Sequence, residues 1–206
     1  MQAILSLGLG YLLGCLSPAA LVSRVTKVNL KEVGTRNLGA TNTALTLGRK
    51  AGYFVLILDM LKSWLSYRVA KALFPQLITA GLIAGLGAIL GHCFPVFLHF
   101  QGGKGLAAFG GLVLAHDPLI FLVLLTLGAV LAFLMDYGVY LPLSAGALFP
   151  LACWLRTGDP GITLATAVAG GLIIVMHWGN FRRARSGEDP VHTRSGLKKI
   201  VGKEKS

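Results

Sequence analysis

Residues 91–105 read GHCFPVFLHFQGGKG, and they interrupt a chain otherwise suited to lipid. Two histidines, a lysine and a run of glycines stand where an apolar helix should be leaving a bilayer. Hydrocarbon penalises unpaired backbone and isolated charge, so irregular polar chain at that depth is tolerated where protein encloses it or where it lines a polar cavity. The stretch therefore marks a working site in a helical membrane bundle.

The composition around it agrees, since 54% of the 206 residues are hydrophobic and only 13% are charged. At about 20 residues per spanning helix, such a length leaves no room for a separate soluble domain. Residues 1–206 read as one all-α integral membrane domain, with a basic tail over about 182–206. Apolar segments fall at 2–23, 51–69, 77–93, 105–116, 118–135, 139–156 and 162–181, which predicts seven spans. The fourth is short, and only His116, Asp117 and Pro118 divide it from the fifth, so five or six spans remain open. The alternating pattern of a membrane β-barrel is absent. Small residues in GLIAGLGAILG (residues 81–91) and AGG (169–171) suit close helix packing.

No basic residue precedes the first segment, whereas Arg24, Lys27 and Lys31 follow it, which predicts an amino end outside and a carboxyl end in the cytoplasm. With seven spans, 15 of the 19 basic residues fall on the cytoplasmic side. The expected location is the inner (plasma) membrane, multi-pass, with the site facing the cytoplasm. A net charge of +11 is then a matter of topology and anionic headgroups, and no nucleic-acid partner is expected. Cys15, Cys93 and Cys153 are scattered and read as packing residues. His92 and His99 lack neighbouring ligands, so neither a metal nor a cofactor is expected, and both histidines read as structural.

Three polar islands share the predicted cytoplasmic face. The first, GTRNLGATN (residues 34–42), carries Gly34, Thr35, Arg36 and Asn37, with Arg49 and Lys50 beyond. Its glycines can turn backbone amides toward an anion, and Thr41 or Asn42 can cap a following helix, although a plain polar turn is an equal alternative. In the second, Gly102, Gly103 and Lys104 precede a helix-like run, so bare amides, a positive helix end and one full charge suit a phosphate. Walker A spacing would require glycine at Leu98 and Ser or Thr at Gly105, which excludes a nucleotide P-loop. The third places His177, Asn180 and Arg183 along one helix face. Its arginines taken alone read as membrane anchors.

Together these islands resemble the bacterial acyl-phosphate:glycerol-3-phosphate acyltransferase family (PlsY). The family patterns GSGNxGATN, GHxFPVFxxFxGGKG and H..N..R...G.E are matched by GTRNLGATN, by GHCFPVFLHFQGGKG and by His177, Asn180, Arg183 and Gly187. The run LGRK (residues 47–50) and the pair Asp59 and Lys62 also match, and the pair reads as a buried ion pair. The resemblance implies seven helices and transfer of an acyl group from acyl phosphate to the 1-hydroxyl of glycerol 3-phosphate. Lysophosphatidic acid and phosphate are the products, for phospholipid synthesis. Acyl phosphate, glycerol 3-phosphate and membrane lipid are the implied partners, and the oligomeric state stays open.

The physical reading suits that chemistry, because both substrates carry a phosphate and one carries a lipid tail. Acyl phosphate is already activated, so positioning and charge stabilisation are the main tasks. Lys104 with Gly102 and Gly103 is expected to hold one phosphate, and Gly34, Thr35, Arg36, Asn37 and neighbouring amides the other, with the assignment of substrates open. Arg183 is a further phosphate candidate. His177, Asn180 and Lys104 are the catalytic candidates: His177 and Asn180 orient the attacking hydroxyl, and either His177 or a phosphate oxygen takes its proton.

The chain departs from the family pattern at several positions. Thr35 replaces Ser, Arg36 replaces Gly, and the family's Arg and Ser fall at Leu45 and Pro142. Its Glu aligns with Asp189, beside Glu188, while Cys15, Ser63 and Gln101 replace Ser, Gly and Lys. Arg36 or Arg49 is expected to restore the lost charge. Altered acceptor choice or lost activity would follow if neither does. The competing readings are a small transporter of a phosphorylated metabolite and a non-catalytic partner that keeps the fold. No internal repeat supports the transporter.

Overall fold

The computed structural model describes residues 1–188 and Thr193. Asp189 and most of the basic tail lie outside the described residues. Nine α-helices follow one another among those described: α1 (Gln2–Gly14), α2 (Pro18–Thr26), α3 (Ala40–Leu47), α4 (Arg49–Leu73), α5 (Ala80–Cys93), α6 (Leu106–His116), α7 (Pro118–Met135), α8 (Tyr140–Thr157) and α9 (Pro160–Arg185). A 3₁₀ turn, Val96–Leu98, lies between α5 and α6.

Each predicted apolar segment is helical, with two corrections. The segment read as one span over 2–23 breaks at Cys15–Ser17, where Pro18 starts a new helix and the Ser17 hydroxyl accepts from the Ala20 amide at 3.2 Å. The interval between the first two spans, read as a loop, contains α3. Gly39, not Thr41 or Asn42, is its N-cap. Asn42 is instead fully buried, accepting from the Thr35 amide (2.7 Å) and donating to the Leu30 carbonyl (2.8 Å). That side chain pins the loop to the small core of Ala19, Leu30, Leu38 and Val55.

By length and composition four helical stretches can cross a membrane: Gln2–Thr26, Ala80–Leu98, Pro118–Met135 and Pro160–Arg185. Helix α4 is long enough but carries Asp59, Lys62 and further charges, and α6 is an apolar helix of 11 residues, shorter than a full span. The broad outward-facing apolar surface, from Ile4 and Leu12 to Ile57, Phe133 and Val175, fits a lipid solvent.

Packing relies on small residues, as expected where helix association depends on close backbone approach. Helices α1 and α5 meet through Gly10, Gly14, Gly87 and Gly91. A β-carbon at any of these would collide with backbone across the interface. Gly146 and Gly170 do the same for α8 and α9. The larger core gathers Ile89, Phe109, Leu112, Phe149 and Ile173, with the Phe109 and Phe149 rings edge to face at 5.6 Å. Because successive long helices reverse direction, the loops before α3, α6 and α8 and the end of α9 come together at one end. The starts of α7 and α9 lie at the other, where Arg156 bridges to Asp117 at 2.6 Å.

Candidate active site

A cavity of about 530 Å³ opens where those loops meet. It is reached by Gly34, Thr35, Arg36 and Asn37 from the first island, Lys104 from the second, and His177, Asn180 and Arg183 from the third. Three sequence-distant islands thus share one cleft. Arg49 does not line it and is exposed at the start of α4; Gly102 and Gly103 do not line it either.

The two glycines correct the expectation of bare amides at the second island. The Gly102 amide donates to the Cys93 carbonyl (3.0 Å) and the Gly103 amide to the His92 carbonyl (3.1 Å), which folds residues 101–105 back onto the end of α5. A β-carbon at 103 would collide with His92 Nε2 and with the Leu38 carbonyl, so glycine is needed there for close approach. Both residues therefore position Lys104 and do not present amides to the cavity. The first island is similarly self-bonded: the Thr35 amide goes to Asn42, the Arg36 amide to the Val33 carbonyl (3.0 Å) and the Gly39 amide to the Asn37 carbonyl (3.0 Å). The expectation of free amides is thus corrected for Thr35, Arg36 and Gly39.

Further amides reach the cavity at helix starts. Helix α3 begins at Gly39 and α6 at Gly105, neither N-cap offers a side chain, and residues 39–41 and 105–107 line the cavity. First-turn amides have no intrahelical acceptor, and the helix dipole places partial positive charge there. Gly105 has φ +84°, a left-handed conformation that favours glycine. Lys104 stands directly before α6, its ammonium donating to Asn180 Oδ1 across the cleft. That contact leaves the Asn180 amide nitrogen as a donor.

His177 is buried, and its Nδ1 lies 2.9 Å from the Ile173 carbonyl. A carbonyl only accepts, so Nδ1 carries the proton and a neutral ring presents Nε2 as an acceptor. Arg36 lies at the rim in a left-handed conformation (φ +55°), unusual for a residue with a side chain. Leu45 is exposed and lies off the cavity, whereas Pro142 forms part of its wall. Leu56, Leu106, Val139 and Pro142 make that side apolar.

Sequence reasoning missed Asp59 and His92 as lining residues. The pair Asp59 and Lys62 is buried as expected, at 2.8 Å. His92 joins it, with Nδ1 at 3.1 Å from Asp59 Oδ1 and 3.0 Å from Lys62 Nζ. The match of a histidine in the second island to a carboxylate on α4 was the available signal. The lining residues Gly138 and Val139 gave none.

Comparison with known proteins gives a consistent result. The profile of the family described as glycerol-3-phosphate acyltransferase matches residues 4–187. The chain is 32% identical over 190 residues to the glycerol-3-phosphate acyltransferase of Thermoanaerobacter pseudethanolicus, covering 92% of this chain and 95% of the relative. It is 37% identical over 183 residues to that of a Jannaschia species, covering 88% and 89%. Among solved structures it resembles PlsY, an integral membrane glycerol 3-phosphate acyltransferase, in its glycerol 3-phosphate form. The TM-score is 0.86 at 30% identity, covering 96% of this chain and 98% of that one. The lysophosphatidic acid form of PlsY matches with a TM-score of 0.83 at 28% identity, covering 92% and 94%.

Proposed function

We propose a specific reaction for this chain, which belongs to the glycerol-3-phosphate acyltransferase family: transfer of a fatty acyl group from acyl phosphate to the 1-hydroxyl of glycerol 3-phosphate. The hydroxyl oxygen attacks the acyl carbonyl carbon, the carbon–oxygen bond to phosphate breaks, and lysophosphatidic acid and inorganic phosphate leave. The observation that carries this reading is the convergence of Lys104, His177, Asn180 and the uncapped starts of α3 and α6 on one cavity with an apolar wall. Two phosphates need two electropositive places, and an acyl chain needs the wall.

In this scheme Lys104 and the start of α6 hold one phosphate, and Thr35, Arg36, Asn37 and the start of α3 hold the other, with Arg183 at the rim. The Asn180 amide, fixed by Lys104, donates to the oxygen that gains charge in the transition state. His177 Nε2 accepts the hydroxyl proton, or a phosphate oxygen does, and activation of the acyl group as its phosphate makes a covalent nucleophile unnecessary. The whole chain acts as one domain of seven spans in the inner membrane, with the amino end outside and the cavity facing the cytoplasm.

The test is purified protein in liposomes supplied with acyl phosphate and glycerol 3-phosphate. Orthophosphate released in equal amount to new monoacylated lipid supports the reaction. Flux of glycerol 3-phosphate without acylation would replace it with transport, and neither would leave a non-catalytic member of the fold.

A further inference from the structure

His92 faces the same cavity from the end of α5, and the scheme above leaves it unused. Its side chain is 93% buried, taking the 7% exposure of the residue. Three protein groups surround Nδ1 and its neighbours. Lys62 Nζ contacts the Leu16 carbonyl at 2.8 Å, Asp59 Oδ1 at 2.8 Å and His92 Nδ1 at 3.0 Å. An ammonium has three protons and no lone pair. Nδ1 also lies 3.1 Å from Asp59 Oδ1, an oxygen that already accepts from Lys62. We take the third ammonium proton to fall on the Nδ1 lone pair in preference to an Nδ1–H donated to Asp59, which puts the ring's own proton on Nε2. The carbonyl of Leu16 is available to complete this set because the helix breaks there, between α1 and α2.

The charges of Asp59 and Lys62 compensate each other, which leaves no net charge behind the ring. Among the described residues Nε2 has no hydrogen-bond partner, and the side chain lines the cavity. The ring edge carrying Nε2 lies against Gly103, one residue before Lys104. Nε2 is not sealed inside the protein, so an acceptor in the cavity can take its proton.

We infer that His92 is a further substrate-binding residue, a neutral donor whose Nε2–H, held in that tautomer by Lys62, bonds a phosphate oxygen beside Lys104. His177 makes the opposite choice within the same cleft: the Ile173 carbonyl holds its proton on Nδ1, so it presents a lone pair. One histidine can receive a hydroxyl proton, and the other offers a proton that it keeps. The inference rests on the phosphate chemistry of the proposed reaction.

The test pairs kinetics with a readout that does not need turnover. In ¹⁵N-histidine NMR of the full chain in nanodiscs, the His92 ring should show the Nε2–H tautomer, and added inorganic phosphate or glycerol 3-phosphate should move its Nε2 signal. Lys62→Met should switch the ring toward Nδ1–H, now donated to Asp59. His92→Phe keeps the ring and loses the donor, so kcat/KM should fall about ten- to a hundredfold, while His92→Gln, which retains an N–H, should recover most of that loss. A phosphate-insensitive His92 signal, full activity in His92→Phe, or equal loss in both variants with lowered thermal stability would overturn the inference. Wild-type protein that shows the phosphate-dependent signal yet transfers no acyl group would support His92 and overturn the reaction instead.

Discussion

The starts of α7 and α9 are built differently from those of α3, α6 and α8. At the end away from the cavity, α7 begins at Asp117, whose carboxylate accepts from the Leu119 and Ile120 amides at 2.8 and 3.1 Å, and α9 begins at Asp159, which accepts from Ile162 at 2.8 Å. Each is followed by proline. At the cavity end α3 and α6 begin at glycine and α8 at Val139, with no side-chain cap. At α7 and α9 the chain itself supplies the anion that a helix start favours, whereas α5, which starts beside them from Thr79, has no side-chain cap. Where the cavity lies, that place is left open to a ligand's charge.

The largest effect expected from disturbing this contrast is at Lys104, the only full charge placed directly before the α6 start. Lys104→Ala should lower turnover on the order of 10²- to 10³-fold, measured as phosphate release, while thermal stability in detergent changes little. Near-normal turnover would remove Lys104 from the site. Next comes an exchange of the two designs. Gly39 has φ −157°, which any residue adopts, and a β-carbon there meets only the Asn37 side chain at 3.0 Å. Gly39→Asp would give α3 the kind of cap that α7 has. The variant should fold as well as or better than the parent, yet raise KM for a phosphate-bearing substrate about tenfold or more, because the new carboxylate occupies the helix start and repels the ligand. An unchanged KM would mean that α3 does not face the phosphate.

How far this was legible in the sequence depends on what kind of feature carries the information. The apolar runs gave all the long helices, because burial and lipid solvation act on composition over many residues. The convergence of Lys104, His177 and Asn180 was legible through side-chain types that have little place in lipid. Backbone commitments were not: nothing in the letters at Gly102 and Gly103 says that their amides donate to Cys93 and His92, and nothing in GATN says that Asn42 turns inward to hold Thr35. Such bonds depend on which loop lies beside which helix end. α3 was hidden for the same reason, since its eight residues are held by the small core under the first island and not by a strong apolar period.

Arg36 and Arg49 sharpen the contrast within the cavity end. Arg36 lines the cavity with φ +55°, at a position where the family pattern has glycine, and Arg49 does not line it. Arg36→Gly removes the charge while relieving a left-handed residue, so it should weaken glycerol 3-phosphate affinity about tenfold, the loss expected for a charged hydrogen bond, without lowering stability. Arg49→Ala should leave that affinity within about twofold. Calorimetric titration of both variants decides the matter, and equal retention of affinity would show that neither arginine replaces the charge missing at Leu45.

The smallest effect should come from the capped end. Asp117→Ala removes the oxygen that accepts two amide hydrogen bonds at the α7 start and the partner of Arg156, whose guanidinium contact is more than half exposed on the arginine side. An exposed ion pair contributes little, so the loss is mainly that of the cap, about 1 kcal/mol. Denaturation in mixed micelles should register it, whereas kcat and KM should not move, because α7 starts at the end of the bundle opposite the cavity. Asp117→Asn retains a capping oxygen and should recover most of the stability. A change in KM with Asp117→Ala would show that the two ends are coupled through the bundle, and the division between the self-capped starts of α7 and α9 and the starts open to ligand would then fail.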